Sequence, residues 1–104
     1  VNTANAAYRN VLTMCLAEMY ERCTESEAKK AVSIWNGYVE AHENLPRISR
    51  AQEVALAAAI EYAARSECGG KPSRTEICSI YGISALRLDN ALKKILPITA
   101  REGK

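Results

Sequence analysis

Pro72-Ser-Arg-Thr-Glu-Ile-Cys-Ser-Ile-Tyr-Gly-Ile-Ser-Ala-Leu-Arg-Leu-Asp-Asn-Ala-Leu-Lys-Lys-Ile95 is the stretch on which the reading of this chain turns. Its spacing is that of a short helix and a longer one meeting at a steep angle across a tight turn. Ser73 precedes Glu76 by three residues, so each side chain can satisfy a free backbone N–H of a first helical turn. A short helix is predicted from there to Tyr81. Gly82 stops it, since a residue without Cβ takes the left-handed conformation at little cost. Ser84 is the expected N-cap of a final helix reaching Leu96, and Pro97 is expected to end it. Cys78 is small where the two helices approach, and Ile77, Ile83, Leu88 and Leu92 are apolar where they must lock together. The expectation is a helix-turn-helix over 72–96 with a flexible tail over 97–104.

Upstream, the same punctuation recurs. Gly69, Gly70 and Pro72 mark the longest break. Before it, Ser49 and Gln52 form a capping box that opens a helix through Val54, Ala55, Leu56, Ala58, Ala59, Ile60, Ala63 and Ala64. Apolar residues surround most of that helix, so it is predicted to be the central, buried one. A further box, Thr24 with Glu27, starts a helix whose inner face is read as Ala28, Ala31, Val32, Trp35 and Val39, ended by Asn44 and Pro46. The first helix is predicted from about Asn5 to Tyr20, with Tyr8, Val11, Leu12, Cys15, Leu16 and Met19 as one buried stripe. Few stretches alternate apolar and polar residues with the β-branched enrichment that strands need.

The composition agrees with a single helical domain. The chain has 104 residues, 48% of them hydrophobic and 25% charged, with no Phe. No run of about 18 apolar residues and no signal segment is present, so a soluble, unexported protein is expected. Val1 stands where a Met would open a nascent chain, as expected of an excised or processed piece. The four cysteines, Cys15, Cys23, Cys68 and Cys78, form no Cys-x-x-Cys pair, and His42 is the sole histidine. No metal is therefore expected. Cys15 and Cys78 fall on apolar faces; Cys23 and Cys68 lie near helix ends that can approach each other, with free thiols preferred. Glu18, Glu21, Glu25 and Glu27 read as a solvated helix junction. Convergent catalytic groups and a phosphate-binding glycine loop are both missing, so no enzyme and no cofactor are expected.

Charge is unevenly placed. Residues 1–70 carry seven Lys/Arg against nine Asp/Glu, whereas 71–104 carry seven against three. A basic C-terminal third on a helix-turn-helix points to a polyanion, and duplex DNA is the expected one. The outward residues at the start of the last helix are Ser84, Ala85, Leu86, Arg87 and Asn90. Arg87 can read guanine or hold a phosphate, and Asn90 can read adenine or hold a phosphate. Lys71, Arg74, Lys93 and Lys94 would neutralise phosphates around the groove. The alternative for each is a solvated surface charge. Asp89 stands among them as a repulsion.

Three stretches carry a family resemblance: Ala55-Leu-Ala-Ala-Ala-Ile-Glu-Tyr-Ala-Ala64, Lys71-Pro-Ser-Arg-Thr-Glu-Ile-Cys78 and Tyr81-Gly-Ile-Ser84. Together they resemble one cyclin-like repeat of transcription factor IIB and its archaeal counterpart, most closely the second repeat. The resemblance covers residues 5–96, and its specific part is 51–96. It implies an all-α, five-helix cyclin-like bundle with a C-terminal helix-turn-helix. It implies a transcription initiation factor that binds double-stranded promoter DNA beside the TATA element, with TATA-binding protein and RNA polymerase as partners and no membrane. The location would be nuclear in a eukaryote and cytoplasmic in an archaeon. The family's DNA-reading positions fall on Leu86, Arg87 and Asp89. The chain departs there, since the family commonly has Thr where Arg87 stands and Arg where Asp89 stands. The family's zinc ribbon and other repeat are missing from these 104 residues, as expected of either a fragment or a reduced, divergent relative. The competing expectation is a cyclin-type protein-interaction domain without DNA binding. Its kinase-binding members resemble one another in an Arg-rich first helix with an Asp-Trp pair, which Ala7-Tyr-Arg-Asn-Val-Leu-Thr-Met-Cys-Leu16 lacks.

Overall fold

The computed structural model describes residues 3–41 and 48–102, and within them the side chains of 8–41 and 48–96. Among the described residues the chain forms five α-helices and no strand: α1 (Thr3–Met19), α2 (Glu25–Glu40), α3 (Arg50–Glu67), α4 (Arg74–Tyr81) and α5 (Ala85–Glu102). Helix α3 touches each of the other four, which makes it the axis of the bundle. Its alanines explain how. Ala57, Ala58, Ala59 and Ala64 are fully buried and present only a methyl group, so neighbouring helices approach on several sides. Ile60, also fully buried, fills the space between them.

Local chemistry sets the helix starts. Thr24 Oγ1 accepts from Glu27 N while Glu27 Oε1 accepts from Thr24 N, and Ser49 and Gln52 do the same for α3. At α4 only half of the expected box forms: Ser73 Oγ accepts from Glu76 N at 2.9 Å. The Glu76 carboxylate turns instead toward Arg65, 3.7 Å away. Gly82 closes α4 in the left-handed region at φ 67°, and Ile83 N donates back to Cys78 O, as a left-handed C-cap requires.

Three boundaries and faces differ from expectation. Helix α5 does not stop at Pro97 but continues to Glu102. A proline there leaves the Lys93 carbonyl without its helical donor, and Lys93 is exposed, so water can take that bond. The inner face of α2 is Ala31, Ile34, Trp35 and Tyr38, with Val32 and Val39 only half-buried. Because α2 packs against α1, α3 and α5, its buried face turns away from the stripe that periodicity alone selects. In α1, Leu12 and Leu16 are likewise half-buried. Trp35 lies between Tyr8 and Tyr38 in a stack with centroids 5.7 and 5.3 Å apart, and its Nε1 donates to Tyr8 O. His42, Asn44 and Pro46 lie outside the described residues, and α2 ends at Glu40. None of the described helices is long and apolar enough to cross a membrane.

Candidate nucleic-acid interface

Helix α5 divides lengthwise. Leu88, Ala91, Leu92 and Ile95 are buried against the bundle. Leu86, Arg87, Asn90, Lys93 and Lys94 recur at helical spacing on the opposite side and are all exposed. Leu86 keeps 68% of its surface in solvent, which is unusual for a leucine with a buried face so near. Ser84 caps the helix, its Oγ accepting from Arg87 N at 3.2 Å, so the Arg87 backbone is fixed while its side chain is exposed.

These side chains do not stand on a flat surface. Ser84, Leu86, Arg87, Asn90, Lys93 and Lys94 form one wall of a groove of about 740 Å³, and Gln52, Ala55 and Leu56 from the start of α3 form the other. Six of the eight residues expected to touch DNA are thus brought together. Lys71 and Arg74 are not in the groove: Lys71 is exposed in the link before α4, and Arg74 is the first residue of α4. Arg74 is also engaged. Its Nε lies 2.9 Å from Asp89 Oδ1, and its Cζ sits 6.0 Å from the Tyr62 ring centroid. Asp89, expected as a bare repulsion, is therefore an ion-pair partner.

Pairing separates the basic residues into two groups. Arg22, Lys29, Lys30, Arg50 and Arg65 each lie against a carboxylate. Among the described residues no carboxylate pairs with Arg9, Lys71, Arg87, Lys93 or Lys94. Three of those five, Arg87, Lys93 and Lys94, line the groove; Arg9 lies on α1.

The scaffold behind α4 holds a polar cluster that sequence reasoning missed. Glu61, fully buried in α3, receives two hydrogen bonds of 2.7 Å from the Arg22 guanidinium, one of 2.7 Å from Tyr81 Oη and one of 3.2 Å from Arg65. Burial pushes its carboxyl up, but the Arg22 fork, Tyr81 and Arg65 outweigh that and hold it below the ordinary value. Burial, then Cys15 and Glu61, raise Tyr81 in turn. The cluster joins the α1–α2 link to α3 and to the end of α4, one residue before Gly82. The signal for it was present: a carboxylate, Glu61, set within the apolar run from Val54 to Ala64.

The cysteines form no disulfide: Cys15 is buried, Cys23 and Cys78 are half-buried and Cys68 is exposed. Burial beside Glu61 pushes the Cys15 thiol up to about 12, so it stays protonated at neutral pH. Comparison with family models, with curated proteins and with solved structures returns no match for this chain.

Proposed function

We propose that this domain binds duplex DNA through a helix-turn-helix made by α4 and α5, as a core domain of the transcription factor IIB type. It would act beside the TATA element together with TATA-binding protein. The observation that carries this reading is the set of uncompensated cations on α5. Arg87, Lys93 and Lys94 share an exposed face with Asn90, and no described carboxylate neutralises them. A stable surface gains nothing by leaving like charges clustered, whereas a phosphate backbone supplies the missing countercharge. The short link through left-handed Gly82 and the capped start of α5 fit a recognition helix whose N-terminal residues reach base edges. The groove between α5 and the first turns of α3, about 740 Å³, is where a sugar-phosphate strand would run.

The test is a binding titration on TATA-containing duplex, at low salt first and then with TATA-binding protein present. Binding that weakens steeply with salt and tightens with that partner supports the reading. A second reading, a protein-interaction domain of the cyclin type, is favoured by a different groove. It measures about 510 Å³, lies between α1 and α2, and is lined by Leu12, Leu16, Trp35 and Val39 with Arg9 and Glu40. If the duplex is not bound under either condition, the second reading replaces the first.

A further inference from the structure

We propose that Asp89 is a positioning residue, holding the Arg74 guanidinium by a charge contact so that its N–H groups are set to receive a phosphate of the duplex. This rests on the DNA-binding reading and extends it to a residue whose charge alone would argue against binding.

The geometry supports it in three ways. Arg74 Nε lies 2.9 Å from Asp89 Oδ1, yet no N–H of the guanidinium makes a directed hydrogen bond to that oxygen. The carboxylate therefore leaves the guanidinium N–H donors unused, and a phosphate can accept from them. Among the described residues no acceptor engages Nη1 or Nη2, and the side chain is 57% exposed. Second, the guanidinium is held from two helices other than its own: Asp89 belongs to α5, and Tyr62, whose ring faces Cζ at 6.0 Å, belongs to α3. A long side chain fixed in advance loses less freedom when it binds. Third, Asp89 Oδ1 is itself buried, and Arg74 meets it too obliquely for a directed hydrogen bond. The hold is a charge contact on the inward oxygen, while the Asp89 side chain as a whole stays 44% exposed. Lys71, exposed and without a described carboxylate partner, lies three residues before Arg74 and can share the same phosphate strand.

A double-mutant cycle tests this: wild type, Asp89→Asn, Arg74→Ala and the double variant, titrated on a short TATA-containing duplex with TATA-binding protein. Thermal melts establish that each variant is folded. Asp89→Asn removes a negative charge near DNA, which by itself favours binding. If Asp89 only repels, affinity rises equally with and without Arg74. If Asp89 positions Arg74, Asp89→Asn lowers affinity about three- to tenfold in the wild-type background, the cost of one unfixed long side chain. In the Arg74→Ala background the loss disappears. The slope of log affinity against log salt should also move from the wild-type value toward that of Arg74→Ala, by up to about one unit. Arg74→Lys serves as a second variant, since it keeps the charge but lacks the planar fork that meets a phosphate; it should bind nearly as poorly as Arg74→Ala. Equal effects of Asp89→Asn in both backgrounds, or an Arg74→Lys protein that binds like wild type, overturn the proposal and leave the DNA-binding reading standing. A wild-type protein that binds no duplex overturns both.

Discussion

An unpaired carboxylate buried as fully as Glu61 would cost several kcal/mol, so its partners decide whether α3 can be buried at all. Arg22 supplies a two-pronged fork, Tyr81 a hydroxyl and Arg65 a third cation contact. Because the Arg22 side chain is 31% exposed, Arg22→Ala should cost less than breaking a fully buried pair, roughly 2 kcal/mol by chemical denaturation. Tyr81→Phe should cost about 1.5–3 kcal/mol, since it removes a hydrogen bond to a charged acceptor. The pH dependence has a definite sign. The folded value of Glu61 lies below its ordinary value of 4.5, so the unfolded chain binds the proton more readily. The stabilisation is complete above that ordinary value and drains away as pH falls through the lowered folded one. Thermal melts at descending pH should show this loss in wild type. Glu61→Gln should be less stable at neutral pH and lose less further stability on acidification. An identical acid profile for the two proteins would mean that Glu61 is not the ionised hub of the cluster.

Helix α3 and the α4–α5 link show which features of the elements the sequence could yield. The starts of α2 and α3 were legible because capping boxes are local, made between residues three apart. The central place of α3 was legible because only a helix in contact on many sides can be apolar nearly all round. Gly82 was legible for the same local reason, and its conformation gives a clean prediction. A Cβ at this position would meet no atom within 4 Å, so the cost of Gly82→Ala is backbone strain alone, about 1–2 kcal/mol. What was not legible depends on partners distant in sequence. Tyr38 and Ile34 face inward because α2 meets three helices at once, and Glu61 is tolerable only because Arg22 and Tyr81 arrive from elsewhere. The Arg74–Asp89 pair spans two helices and is invisible to a reading of α5 as one face of charge. The continuation of α5 past Pro97 has a similar origin, since a proline's cost is known locally but its compensation is not. Ile60→Ala tests the axis itself. The side chain is fully buried at the centre of α3, so the loss should be about 2–5 kcal/mol, and a much smaller value would mean that the neighbours can close the cavity.

Over the whole molecule, the distribution of pairing matters more than the net charge of +2. Ion pairs such as Lys30 with Glu67 and Arg65 with Glu76 use up much of the positive charge on one part of the bundle. The α5 face retains Arg87, Lys93 and Lys94 uncompensated by any described carboxylate, beside exposed Asn90 and Leu86. If this face lies on DNA, the cations should separate into two behaviours. Lys93 and Lys94, a turn or more beyond the start of α5, would meet phosphates. Lys93→Ala and Lys94→Ala should then weaken binding to every duplex alike and each reduce the salt slope by about one. Arg87 lies in the first turn, where a recognition helix reaches base edges. Arg87→Ala should cost about 1–3 kcal/mol on the preferred sequence if the guanidinium makes a bidentate contact with guanine, and should narrow the difference between preferred and scrambled duplexes. Parallel titrations of the three variants on both duplexes at several salt concentrations distinguish these roles. Should Arg87→Ala instead weaken both duplexes equally, with the same change in slope as the lysine variants, Arg87 holds a phosphate. Discrimination between sequences would then have to come from Asn90 or from the shape of the DNA.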